Sequence, residues 1–176
     1  RVLEAETGKR VRLDIVGEMT EVDKTVVERI GEPLTHLLRN AVDHGIEPPE
    51  ERALYGKPEE GVVHLTCSRD GQTVRIECRD DGRGLDLPAI HAKAAGLGLL
   101  DGAREPDPDA VMRLILLPGF STRDVVTDVS GRGVGMDVVA ERVRAMKGHI
   151  DIDSRPLEGT RFTLRVPATT GSVHAL

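Results

Sequence analysis

The sequence predicts an α/β sandwich: two layers, with one mixed and mostly antiparallel sheet carrying helices on one face. Two observations predict it. Apolar residues alternate with period two through two hairpins, at residues 63–78 and 149–166, while the stretches before and between them carry apolar residues at the helical period. At 176 residues the chain fits one domain with a substantial core, without internal repeats, and with aromatics at only 2% that core is aliphatic.

Val11, Leu13 and Ile15 alternate with Arg12, Asp14 and Val16 in a short strand closed by Gly17. Asp23 can cap a helix carrying Val26, Val27 and Ile30, and Pro33 is expected to break or bend the path. The helix beyond it has two faces. Leu34, Leu37, Leu38, Ala41 and Val42 form an apolar stripe, His36, Asn40, Asp43 and His44 fall together on another, and Gly45 ends the helix. Residues 48–58, rich in proline and charge, read as a surface connection.

In the first hairpin Val63, Leu65 and Cys67 face inward, Asp70-Gly71 makes the turn, and Val74, Ile76 and Cys78 face inward on the return. The return strand runs into Asp80-Asp81-Gly82-Arg83-Gly84. Asp86, Leu87 and Pro88 start a helix, residues 101–110 are loop-like, and Asp107-Pro108 starts another helix with Val111, Leu114, Ile115 and Leu117. From Pro118 to Gly135 the periodicity lapses, and the span reads as a mobile lid. The helix after it carries Val139, Val143 and Met146 and stops at Lys147-Gly148, before the second hairpin with Ile150 and Ile152 facing one way and Phe162, Leu164 and Val166 on the return.

A net charge of −6 gives no electrostatic reason to expect nucleic acid, and so few aromatics provide no stacking platform for bases. No apolar run reaches the roughly 18 residues a membrane span needs, and no signal peptide precedes the first strand. Cys67 and Cys78 read as small core hydrophobes, which suits a reducing cytoplasmic setting. The opening on Arg1 and the polar end are those expected of a piece cut from a longer protein. The reading divides it into a lead-in at 1–17, a catalytic domain at 18–168 and a polar tail at 169–176.

An amide, a carboxylate and two imidazoles on consecutive helical turns suit a hydrated cation and a polyanion, although a solvated face fits that segment alone equally well. Shared zinc ligation is excluded, since His36 and His44 are separated by about 12 Å of helix. Two acidic residues at a strand end followed by two spaced glycines exceed what a turn requires, and a carboxylate at Asp80 can accept a hydrogen bond from an exocyclic amine. Gly131, Gly133 and Gly135 precede a helix starting near Met136, where close backbone approach and free N–H groups suit phosphate. That spacing alone is weak. A Rossmann reading lacks the opening strand, and a Walker reading lacks Gly-Lys-Ser/Thr.

Five motifs in this order resemble the ATP-binding kinase domain of CheA-type chemotaxis histidine kinases, within the wider group containing DNA gyrase, Hsp90 and MutL. Residues 36–45 resemble the N box, 80–84 the first glycine box, 119–122 the F box, 131–137 the second glycine box, and Gly159-Thr160 the last. The fold this implies is the Bergerat, or GHKL, ATP-binding sandwich. The resemblance implies that Asp80 holds the adenine amine with Thr160 nearby, that Gly82 and Gly84 belong to the same nucleotide site, and that Asn40 ligates Mg²⁺. It further implies that His36, Arg39, Asp43 and His44 surround the triphosphate and metal. Gly131, Gly133, Gly135 and Met136 would line the phosphates, and Ser121 and Arg123 would close over them.

The implied reaction moves the γ-phosphoryl group of ATP to a histidine on a separate phosphotransfer domain, in cis or in trans, with a response regulator downstream. A coupling protein and a receptor are implied for the full-length protein. The dimerisation helices and regulatory domain that flank such kinases are missing from this sequence, which points to a fragment or a pared-down kinase. An alternative is a nucleotide-sensing interaction module that binds ATP without phosphoryl transfer. An ATPase clamp of the gyrase or MutL kind is disfavoured, because the sequence shows neither a long lid strap nor a transducer domain.

Overall fold

The computed structural model describes residues 2–4, 8–17, 22–100, 102, 105–120 and 135–169. Its strands are β1 (Val2–Glu4), β2 (Arg10–Gly17), β3 (Glu60–Asp70), β4 (Thr73–Asp80), β5 (His149–Arg155) and β6 (Gly159–Pro167). They form one six-stranded sheet in the order β1-β2-β3-β4-β6-β5. Among the described residues β2 and β3 pair in parallel, and every other pairing is antiparallel. The expected mixed, mostly antiparallel sheet is the one observed.

Period-two alternation decides which face is covered. On β4, Val74, Ile76, Cys78 and Asp80 are buried while Thr73, Arg75 and Arg79 are exposed, and Leu164 and Val166 continue the buried face on β6. Against it lie α1 (Lys24–Asn40), α3 (Leu87–Gly96), α4 (Pro108–Arg113) and α5 (Met136–Ala145), whereas α2 (Pro49–Leu54) meets the chain just past the end of β4 through Arg52 and Asp81. The α1 residues Val26, Ile30, Pro33 and Leu37 are buried at helical spacing, as are Val139 and Val143 of α5. Cys67 and Cys78 are free thiols, and burial pushes Cys78 up to about 12, as expected of a core residue.

Three expectations change. Pro33 does not break the helix; α1 runs through it, with the ring buried on the apolar stripe, so packing outweighs one missing backbone donor. The hairpin turn falls one residue later, since Asp70 pairs with Thr73 and Gly71 occupies the first turn position at φ 58. The stretch at 48–58 is no mere surface connection: Pro49 and two acidic residues open α2, whose Arg52 is fully buried.

Beyond Asn40 the helix widens. Residues Ala41–Gly45 form a π-helical turn closed by the Ile46 N–H donating to the Ala41 carbonyl at 2.8 Å. Lys9, itself buried, donates from Nζ to the carbonyls of Val42 (3.0 Å) and Asp43 (2.7 Å), satisfying groups that a helix end leaves open.

Candidate functional site

The site is built where β4 ends. Asp80 is only 5% exposed. Burial pushes its carboxyl up to about 6; the backbone N–H groups of Gly82 and Thr160 oppose that shift, while Asp81 and Glu47 add to it. The Gly82 N–H donates to Asp80 Oδ1 at 2.9 Å. A Cβ on Gly45 would stand 3.1 Å from the Asp80 carboxylate, so glycine there keeps one side of the acid clear.

Both glycines after Asp80 are required by close approach. A Cβ on Gly82 would lie 2.1 Å from the Gly45 carbonyl oxygen. Gly84, at φ 79, would bring one within 2.5 Å of the Arg155 carbonyl oxygen. The neighbouring strand begins with Gly159 and buried Thr160, whose Oγ1 is 3.0 Å from Ser154 Oγ. Ser154 also accepts from the Leu85 N–H at 2.8 Å, which ties the loop after β4 to the last hairpin.

At the other end of the polar row, Asn40 Nδ2 donates to Met136 Sδ at 3.1 Å. The end of α1 therefore meets the first residue of α5, and the amide oxygen is the remaining polar atom of Asn40, of the kind that a hard cation takes. Gly135 precedes α5 in extended backbone, with no side chain capping the helix. His36, half-buried, lies further back on α1: burial and Arg39 hold its imidazole below the usual 6.5, Glu32 raises it and Arg142 lowers it. Arg39, Asp43 and His44 are exposed on the intervening turns.

The structure thus joins Asp80, Gly82, Gly45 and Thr160 in one cluster and Asn40 with Met136 in another, linked by the π-helical turn. Ser121, Arg123, Gly131 and Gly133 lie outside the described residues, as does most of the span read as a lid. Its two described flanks are anchored. Phe120 is buried, with Lys93 Nζ 5.6 Å from its ring centre, and the Gly119 N–H donates to Asp137 Oδ2 at 3.1 Å on the first turn of α5.

Comparison with known proteins now bears on the same residues. A family model described as histidine kinase-, DNA gyrase B- and HSP90-like ATPase matches residues 25–170, from the start of α1 past the end of β6. The chain belongs to that ATPase family. ATP is accordingly the nucleotide this ATPase domain uses. It is similar to the chemotaxis protein CheA of Cereibacter sphaeroides, 48% identical over 92% of this chain and 24% of that one, and to that of Rhizobium meliloti, 47% over 93% and 22%. The sensor histidine kinase CheAY of Helicobacter pylori is 46% identical over the whole chain and 22% of its own length. The ATPase domain thus spans about a quarter of these relatives or less.

Among solved structures, its fold matches the catalytic domain of histidine kinase ThkA at a TM-score of 0.53, with 18% identity, over 90% of this chain and 79% of that one. The histidine kinase domain of the Erythrobacter litoralis EL346 blue-light activated histidine kinase gives 0.52 with 17% identity, over 90% and 52%.

Three residues beneath the site, Arg52, Glu47 and Lys57, escaped the reading of the sequence, and they meet Asp81, which did not. Arg52 and Glu47, both fully buried, form an ion pair at 3.1 Å; Arg52 also pairs with Asp81 at 3.0 Å, and Lys57 with Glu47 at 2.7 Å. The helix-start signal at Pro49-Glu50-Glu51 was available, but nothing local marks an arginine for burial. Among the described residues no helix is long and apolar enough to cross a membrane.

Proposed function

We propose that this is the ATP-binding catalytic domain of a CheA-like two-component histidine kinase, acting in the cytoplasm in chemotaxis-type signalling. It transfers the γ-phosphoryl group of ATP to a histidine on a separate phosphotransfer domain, which then serves a response regulator. A coupling protein and a receptor are its partners in the longer protein. One observation carries the reading: a buried carboxylate, Asp80, oriented by the Gly82 N–H and left uncovered by Gly45, in a chain nearly half identical to CheA proteins.

In this reading Asp80 accepts a hydrogen bond from the adenine amine, beside Thr160. Gly82 and Gly84 belong to the same nucleotide site, where their lack of a side chain lets the loop after Asp80 pack on the Gly45 and Arg155 carbonyls. Asn40 and the exposed Asp43 are oxygen donors that fit Mg²⁺, which binds through few protein ligands and keeps water and phosphate oxygens for the rest. When bound, the ion neutralises charge on the phosphates. Arg39 and His44 add cationic or hydrogen-bonding groups on the same turns, and Gly131, Gly133, Gly135 and Met136 border the phosphates, with Ser121 and Arg123 closing over them.

In the transfer, a nitrogen lone pair of the acceptor histidine attacks the γ-phosphorus. The bond to the bridging oxygen breaks, and ADP leaves with that electron pair. Burial and Arg39 hold the His36 imidazole below its ordinary pKa, which favours its acting there as an acceptor of a hydrogen bond or a proton. Alignment and charge stabilisation are the main demands of this chemistry.

Calorimetry with ATP, with and without Mg²⁺, tests the site: Asp80→Asn and Asn40→Ala each weaken binding, and binding unchanged by both removes the proposal. Labelled ATP with a supplied phosphotransfer domain tests the reaction. Label on that domain's histidine supports it, whereas tight binding without transfer leaves a nucleotide sensor.

A further inference from the structure

Asp80 is held by the backbone N–H groups of Gly82 and Thr160, and the peptide unit that carries the first of these is gripped from its other end. The peptide joining Asp81 to Gly82 presents its N–H to Asp80 Oδ1 at 2.9 Å, while its carbonyl accepts from Lys57 Nζ at 3.0 Å. Lys57 also donates to the next carbonyl, that of Gly82, at 2.9 Å. The ammonium is itself located by Glu47 Oε2 at 2.7 Å, and Glu47 is located by Arg52 at 3.1 Å.

Two consequences follow from elementary electrostatics. A cation on the carbonyl end polarises the peptide and makes its N–H a better donor to the carboxylate at the far end. Arg52 Nη1 also reaches that carbonyl, at 3.4 Å against 3.0 Å for Lys57, so rotating the peptide by half a turn would give up two cations, the nearer being Lys57, and point the carbonyl at an anion. Asp81 adds a brace: its carboxylate accepts from Arg52 at 3.0 and 3.3 Å and from the Val62 N–H at 2.9 Å, which fixes the chain just before the peptide. Glu47, Asp81, Arg52 and Lys57 sum to zero charge. The network therefore leaves Asp80 as the uncompensated acid.

We propose that Lys57, held by Glu47 and Arg52, is a positioning residue for base selection: through the Asp81–Gly82 peptide it sets the direction of the Asp80 carboxylate and so the discrimination in favour of a 6-amino purine. This rests on the assignment of Asp80 to the adenine amine. A purely structural clamp would hold α2 against the strand end without affecting which base is chosen. The two roles separate because loss of stability weakens every nucleotide alike, while loss of aim weakens only those that use the amine.

The test compares affinities of the whole chain for ATP and for purine riboside triphosphate, which lacks the 6-amino group. In the native protein ATP binds more tightly. Lys57→Met is expected to reduce that preference about tenfold, the worth of one well-made hydrogen bond to a charged group, while Lys57→Arg, which keeps a cation there, restores part of it. If Lys57→Met does not fold, Glu47→Gln, which frees the ammonium with little change of shape, is read in the same way. A native preference that survives the substitution unchanged overturns the positioning role and leaves Asp80 in place. A native protein with no preference overturns the Asp80 assignment itself.

Discussion

The carbonyl of Gly45 accepts a hydrogen bond from the N–H of Arg83 at 2.9 Å. That bond joins the last residue of the π-helical turn to the loop leaving β4, and the Gly82 backbone packs against the same carbonyl. The polar helix face and the buried acid are consequently held in relation to each other by main chain, which no side-chain rotation can disturb.

Gly82→Ala is expected to fail at this junction. Its Cβ would stand 2.1 Å from a backbone oxygen, so main chain must shift, at a cost of about 1–3 kcal/mol or more, with loss of ATP affinity. Gly31→Ala is the contrast: an exposed position in α1 with nothing within 4 Å, where alanine gains roughly 0.5–1 kcal/mol. Urea denaturation of the two variants checks the opposite signs.

Arg52→Met leaves Glu47 buried without one of its two cations. The expected loss is about 3–5 kcal/mol, as for other broken buried pairs. An unfolding free energy within 1 kcal/mol of the native value would show that the pair contributes little.

Asp80 makes stability and binding respond to pH in opposite directions. Its folded pKa of about 6 lies above the ordinary 3.8, so the folded state binds the proton more tightly. The stability this confers is full below 3.8 and is lost as pH rises to about 6, amounting to roughly 3 kcal/mol at 1.36 kcal/mol per pH unit. ATP affinity, which in our reading needs the carboxylate, falls as pH drops through about 6. Calorimetry from pH 5 to 8 checks the second trend, and Asp80→Asn should flatten both.

His36 titrates below 6.5, and Arg39→Ala should move its midpoint upward, since Arg39 is one of the groups holding it down. Nuclear magnetic resonance of the imidazole protons reads both. A midpoint at or above 6.5 in the native chain would contradict the burial that lowers it.

Most of the fold was legible because its strands alternate cleanly and its helices carry complete apolar stripes. Asp80 was legible for a different reason: an acidic pair followed by two glycines serves no simple turn. Arg52 was not, because its burial depends on Glu47 and Asp81, and only the second of these lies far along the chain. Pro33 misled because local preference says nothing of the hydrophobic surface that its ring would cover. Gly84 was singled out for nucleotide binding, but its closest approach is to the Arg155 carbonyl, a contact that no local spacing reveals.

Because β6 lies between β4 and β5, the strand that flanks Asp80 is made some eighty residues after the acid itself. A chain still emerging from the ribosome carries the acid and the polar helix long before the neighbouring strand exists, and such long-range pairing is slow to form. On the assignment of Asp80 to the nucleotide, chains that end before β6 are therefore expected to bind no ATP, which binding measurements on such truncations check.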